Sequence, residues 1–279
     1  MEYMRIVRLG LIIVFLLSLG LFGVTEAAQF VLQDRTEPEI TSDRDVLEIT
    51  CDYTEEQLME GLSASDEEDG DLTSQIIAGS FSRFIEDGVS DITYVVFDSA
   101  DHPASLTRRV HFTDYHPPRF TLSEPLVFSE QEGSYTEAMT RLGAADQLDG
   151  DLKDWITQTD TDVNYQKVGS YTMSVQVESS LGAVSELALP VHVVSAESRN
   201  VDIALTGGIL YTSTGSEIDP MDYVREVTDS QGNQLDVSSV DASSDVDTSQ
   251  PGVYEIYYEV SDSSGNNGET WLTVVVTEE

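Results

Sequence analysis

The sequence predicts an all-β protein, three antiparallel sandwiches in tandem behind one N-terminal apolar helix. Three observations carry that prediction. The frame Asp66-Glu-Glu-Asp69-Gly70-Asp71-Leu72 returns 80 positions later as Asp146-Gln-Leu-Asp149-Gly150-Asp151-Leu152, and a period of that size marks a repeated domain. An alternating apolar and polar segment opens behind a glycine three times with identical spacing, at Gly88 to Asp98, Gly169 to Ser179 and Gly252 to Asp262. Beyond the N-terminus Thr, Val, Tyr and Ser are frequent and helix formers sparse, a composition suited to pleated sheet.

Residues 1–27 read as an export signal. Arg5 and Arg8 supply a positive start, Leu9 to Val24 is an unbroken apolar run, and Thr25-Glu26-Ala27 offers a small-x-small cleavage site. The run of 16 residues is shorter than the roughly 20 of a spanning helix. A cleaved signal peptide and an uncleaved N-terminal membrane anchor are both open. Either way the positive start stays inside and the remainder is delivered outside the cell.

The first sandwich is expected over 37–116, the second over 117–196 and the third over 200–279. In the first, Pro38 to Ile40 and Val46 to Cys51 read as strands. Thr54-Glu-Glu-Gln57 is a capping box that opens one helical turn, which Gly61 ends. Asp91 to Phe97 and Leu106 to Phe112 close that domain as strands, and Pro117 and Pro118 stiffen the linker. In the second, Leu126 to Phe128, Ser170 to Val177 and Leu187 to Val194 read as strands, with Pro190 arguing for a sheet edge. In the third, Tyr254 to Val260 buries Tyr254, Ile256, Tyr258 and Val260 and turns Glu255, Tyr257, Glu259 and Ser261 outward, and Trp271 to Val276 follows. Tyr171 and Tyr254 at their strand entrances suit a tyrosine corner, a bond that Ser90 cannot supply in the first copy. The third copy of the acidic frame, Asp229 to Leu235, keeps the first Asp and the last Leu but has lost the Asp-Gly-Asp centre.

Charge narrows the function. With 52 acidic residues against 13 basic ones, the net charge of -39 repels nucleic acid and anionic membranes. Membrane contact would run only through residues 1–27, if they remain. Hydrophobic residues at 40%, in strand-like alternation, argue for a folded chain rather than an acidic disordered one. The single cysteine, Cys51, excludes an intrachain disulfide and a cysteine metal cluster, and reads as a small buried hydrophobe in a strand. His102, His111, His116 and His192 fall in turns, linkers and outward strand positions without metal-ligand spacing. No nucleophile elbow or phosphate loop is present, so no catalytic residues and no enzyme are expected.

Calcium is the sharpest cofactor expectation. A hard cation takes six to eight oxygens, and Asp66, Asp69 and Asp71, or Asp146, Asp149 and Asp151, could converge on one loop. The stretch is no EF-hand, since Ile77 stands where the bidentate Glu would be. The competing reading is a tight turn in which Asp side chains cap local backbone and the Leu anchors the core. No other cofactor is expected. For a sugar, the aromatic candidates are Trp155, Trp271, Tyr257 and Phe97, with core packing the better account of Trp155.

Asp69-Gly70-Asp71-Leu72-Thr73, Asp149-Gly150-Asp151-Leu152, Gly169-Ser-Tyr171, Gly252-Val-Tyr254 and Asp262-Ser-Ser-Gly265-Asn266 together resemble the bacterial Ig-like repeat. That repeat occurs in tandem on surface proteins and in pesticidal crystal proteins, and is similar in pattern to hyalin-repeat and cadherin-like sandwiches. The resemblance covers nearly everything after residue 36. It implies three tandem Ig-like antiparallel β-sandwich domains, each of about 75–80 residues, forming a non-enzymatic extracellular stalk or adhesion module, secreted or anchored at a bacterial cell surface. The expected partner is a surface protein or a glycan; the alternative function is a calcium- or carbohydrate-binding module.

Overall fold

The computed structural model describes residues 2–32 and 35–278. One α-helix, Glu2–Leu32, comes first, and its side chains from Leu11 to Val24 are exposed. It runs on through the expected cleavage site. No helix among the described residues is long and apolar enough to cross a membrane.

The rest is three sandwiches built to one plan, each pairing a three-stranded sheet with a four-stranded one. In the first, strand 62–66 lies between 39–42 and 70–71, while the opposing sheet runs 46–49, 103–112, 89–97, 77–81. The second repeats this with 119–122, 142–146 and 150–151 against 127–129, 184–194, 169–178 and 157–161. In the third, 202–205, 224–228 and 234–235 face 209–213, 267–277, 252–261 and 241–244. The opening segment of every domain therefore divides, its first half joining one sheet and its second half the other.

That division refines the antiparallel expectation. The second half of the opening segment pairs in parallel with the last strand, Val127–Ser129 against His192–Val194 and Ile209–Ser213 against Thr273–Thr277. Pro190 is explained by the same pairing. Its strand is interior, but the short parallel neighbour reaches only His192, so the position lacking an N–H faces an unpaired stretch of edge.

Alternation fills each core. Ile92, Tyr94 and Val96 in the first domain, Met173, Val175 and Val177 in the second, and Ile256, Tyr258 and Val260 in the third are buried at successive inward positions. Gly169 and Gly252 lead into strands whose Tyr171 and Tyr254 hydroxyls donate to the carbonyls of Lys167 and Gln250, four residues upstream, at 2.9 and 3.1 Å. Ser90, in the same place in the first domain, donates instead to the Ser82 carbonyl at 2.8 Å. The Thr54–Gln57 capping box opens a helix at Glu55–Leu58. A longer helix, Tyr135–Arg141, lies outside the sequence expectation although Ser134-Tyr-Thr-Glu137 is a capping-box pattern, and the Ser134 hydroxyl caps it by accepting from the Glu137 N–H. Cys51 lies half-buried in a bend rather than in a strand, with burial pushing its thiol up to about 12.

By its own contacts the chain divides into two compact units, residues 1–49, 53–82 and 89–111, and residues 50–52, 83–88 and 112–279. The second and third sandwiches fall in the same unit.

Candidate functional site

The two acidic frames fold as three-residue hairpin loops between strands 62–66 and 70–71, and between 142–146 and 150–151. Gly70 and Gly150 both sit at φ +74°, a conformation that side chains disfavour. Asp66 Oδ1 accepts from the N–H groups of Glu68 and Asp69 and from the Thr36 hydroxyl, at 2.7 to 3.1 Å. Asp146 Oδ1 accepts from Leu148 and Asp149 at 2.8 and 3.1 Å. The middle aspartates reach across to the next hairpin: Asp69 Oδ2 accepts from Ser99 N–H at 2.7 Å, and Asp149 takes both the N–H and the hydroxyl of Ser180 at 2.6 and 2.7 Å. Asp71 and Asp151 accept from the N–H of residues Thr73 and Lys153, each at 2.9 Å. Leu72 and Leu152 are buried and anchor the turns.

Each carboxylate is thus turned to its own donors. The N–H of Asp69, assisted by that of Glu68 and by Thr36, outweighs burial and holds the Asp66 carboxyl below the usual range. Thr73, through its side chain and its N–H, does the same for Asp71. Among the described residues no group of three or more His, Cys, Asp or Glu stands close enough together to hold a metal ion.

The second oxygens of the leading aspartates differ. Asp146 Oδ2 receives the Tyr115 hydroxyl from the linker at 2.9 Å, and burial together with that carboxylate pushes the phenol upward. Asp66 Oδ2 is buried without a hydrogen-bond partner among the described residues.

The third frame is in a different register from the one its sequence suggests. Thr228 pairs with Gln234 and Val227 with Leu235, so the loop holds residues 229–233 and Leu235 takes the place of Asp71, not of Leu72. Asp229 caps this loop, accepting from Gln231, Asn233 and the Asn233 side chain at 2.8 to 2.9 Å. Asp262 does the same with Ser264, Asn266 and the Asn266 side chain at 2.7 to 2.9 Å. Asp229-Ser-Gln-Gly232-Asn233 and Asp262-Ser-Ser-Gly265-Asn266 are one motif used twice, with both glycines at φ +84°. Asp98 builds the equivalent turn in the first domain, accepting from the N–H groups of Ala100 and His102, with the His102 ring against its other oxygen.

The aromatic candidates separate. Trp155, expected in the core, is 64% exposed. Phe97 is also exposed. Trp271 lies stacked on His192, ring centroids 4.0 Å apart and planes within 9°. His192 is buried rather than outward, with Nε2 against Glu255 Oε1 at 2.7 Å and Nδ1 against Ser170 Oγ at 3.0 Å. This joins the last strand of the second sandwich to the third. Tyr257 packs on the Trp271 ring, and its hydroxyl is shared between Glu259 and Glu269 at 3.1 Å each. The signal for the joint was present, since Glu255 and Trp271 lie on the outward faces of the third domain's strands, but no spacing connects them to His192.

Residues 205–276 match the model of the family described as bacterial surface protein, Ig-like domain. The third sandwich is thus similar to bacterial surface Ig-like domains. The chain is 28% identical over 223 residues to the pesticidal crystal protein Cry22Aa of Bacillus thuringiensis, which covers 77% of this chain and 29% of that protein. It is 31% identical over 137 residues to an uncharacterized 81.3 kDa protein of Acholeplasma phage L2, covering 48% and 18% respectively. The chain therefore spans less than a third of the length of these relatives. Among solved structures it is similar to the M60 catalytic domain with two CBM51 domains of Clostridium perfringens ZmpB, at 16% identity and TM-score 0.25, over 88% of this chain and 31% of that one. It is also similar to protocadherin gamma B7 cadherin domains 1–4, at 15% identity and TM-score 0.22, over 86% and 76%. The Ig-like domain at 205–276 has the same strand plan as the two sandwiches before it.

Proposed function

We propose that this chain is a non-enzymatic extracellular module, a stalk or adhesion segment of three Ig-like sandwiches at 37–116, 117–196 and 200–279, delivered outside a bacterial cell by residues 1–27. The observation that carries the reading is the surface Ig-like match at 205–276, joined to a strand plan that the other two sandwiches repeat. A net charge of -39 suits an exposed, solvated surface and a partner of opposite or neutral charge. The acidic turns serve as structural loops, because their carboxylates are engaged by local N–H and hydroxyl donors. The test is production of the full chain in a bacterium, with protease added to intact cells and the N-terminus of the mature protein sequenced. The chain is expected in the medium or stripped from the cell face. Protection from the protease until lysis overturns the reading.

One observation favours the calcium alternative at the first turn, Asp66 Oδ2, buried and without a hydrogen-bond partner among the described residues. A ligand that prefers the native state raises the melting midpoint. Calcium at millimolar concentration is expected to leave the midpoint unchanged; a rise that is lost in Asp66→Asn would assign the ion to this turn.

A further inference from the structure

The three domains serve as controls for one another at the turn after the acidic loop. Each makes the same one-turn 3-10 helix, Thr73–Gln75, Lys153–Trp155 and Val237–Ser239. Each closes it with the same bond, from Gln75 to Leu72, Trp155 to Leu152 and Ser239 to Asp236, at 2.8 to 2.9 Å. The final position is exposed in all three. Glutamine and serine satisfy the fold there, so the fold does not call for an indole. An exposed tryptophan leaves a large apolar face in water, and such faces recur where a partner covers them.

The neighbours of Trp155 define what would cover it. A pocket of about 210 Å³ is lined by Asp149, Asp151, Leu152, Trp155 and Ser180. Its polar groups are acceptors. The Ser180 hydroxyl gives its proton to Asp149, and the Asp149 and Asp151 carboxylates keep lone pairs beyond the two bonds that Asp149 accepts from Ser180 and the one that Asp151 accepts from Lys153. The adjacent cation, Lys153, is turned aside to the Thr140 carbonyl at 2.9 Å. A π face beside two carboxylates, within a chain of net charge -39, attracts a planar cation. Guanidinium fits this better than ammonium, since it stacks flat on indole while its edge donates to carboxylate oxygens.

We infer that Trp155, Asp149 and Asp151 form a docking site for an arginine side chain carried by a basic segment of a partner protein. The site deepens the reading of the chain as an extracellular contact module and rests on it for biological access. Binding in solution does not depend on where the chain is delivered, so the two can fail separately.

The test uses the full chain at about 150 mM salt, where long-range attraction to the acidic surface is largely screened. A short arginine peptide, its citrulline counterpart (neutral and nearly isosteric) and neutral chitotetraose are titrated by calorimetry and tryptophan fluorescence. The protein has 2 tryptophans, and Trp271 is already stacked on His192, so Trp155→Gln isolates the signal of interest. That variant keeps the charge and installs the residue the first domain carries as Gln75. The arginine peptide is expected to bind, with affinity falling roughly five- to thirtyfold in Trp155→Gln and at least as far with citrulline. Trp155→Phe should recover part of the loss. Equal binding by wild type and Trp155→Gln overturns the site, as does equal binding of the citrulline peptide or no binding at all. Tighter, Trp155-dependent binding of chitotetraose would assign the surface to a glycan instead.

Discussion

The first and second acidic turns share one hairpin frame and differ most at two points. Backbone, capping aspartate, reach to the next hairpin and buried leucine are shared. What changes is the group on the second oxygen of the leading aspartate, Tyr115 for Asp146 and, among the described residues, none for Asp66 Oδ2, and the exposed residue three after the leucine, Trp155 against Gln75. The shared atoms are those the hairpin needs in order to close. Of the variable ones, the aspartate oxygen lies buried or meets a linker tyrosine while the Trp155 and Gln75 side chains face solvent, and at the exposed position a repeat can acquire a task without refolding.

The strongest way to break this comparison is to remove the shared anchor. Leu72→Ala and Leu152→Ala should each cost about 2–4 kcal/mol in urea unfolding, because both side chains are buried and leave a cavity. Leu235→Ala should cost clearly less, since that residue is half-buried and in the position of Asp71. Equal losses at all three would mean that the register assigned to the third turn is wrong. Acid should come next. Asp66, Asp71, Asp229 and Asp262 have folded pKa values below the ordinary carboxylate value, held there chiefly by the Asp69 N–H, Thr73, Asn233 and Asn266. Their contribution is complete above the unfolded value near 4 and is lost as pH falls through the folded values. Urea midpoints should therefore be flat from pH 7 to 5 and fall toward pH 3, and an Asp66→Asn, Asp71→Asn double variant should fall less steeply.

A smaller effect separates the two linkers. Tyr115→Phe deletes one bond to a buried carboxylate and should destabilise the second unit by about 1–2 kcal/mol. Arg35, 80 positions earlier, is in the corresponding place in the chain. The smallest effect belongs to Trp155→Gln, expected to change stability by no more than about 0.5 kcal/mol because the ring is exposed. A loss of 2 kcal/mol would make Trp155 a packing residue after all.

Much of the plan was legible. The alternation from Tyr254 to Val260 gave the inward face, with Ile256, Tyr258 and Val260 buried and Tyr254 half-buried, and Gly-x-Tyr located the corner bonds at Tyr171 and Tyr254. These are local signals, carried by period and by turn chemistry. The third turn departs from its sequence pattern because Asp and Leu recur at the same spacing while pairing slips by one position, which only the partner strand decides. Tryptophan is usually covered, which favours the core for Trp155 in sequence; its exposure follows from where the 3-10 helix points. His192 looked like an outward position until a neighbouring domain was placed against it. Long-range pairings of this kind leave no periodic mark in a sequence.

The parallel seam between the opening segment and the last strand bears on how such a domain meets a pull. Tension along the chain enters the third sandwich near residue 202 and leaves near 277, and Ile209–Ser213 lies in register with Thr273–Thr277. Drawn in opposite directions, two parallel strands load every hydrogen bond of the seam at once, in shear. A hairpin pulled at its open end gives way one bond at a time. A tether under flow or traction made from this domain would hold until the seam yields as a whole, and extend in a discrete step when it does.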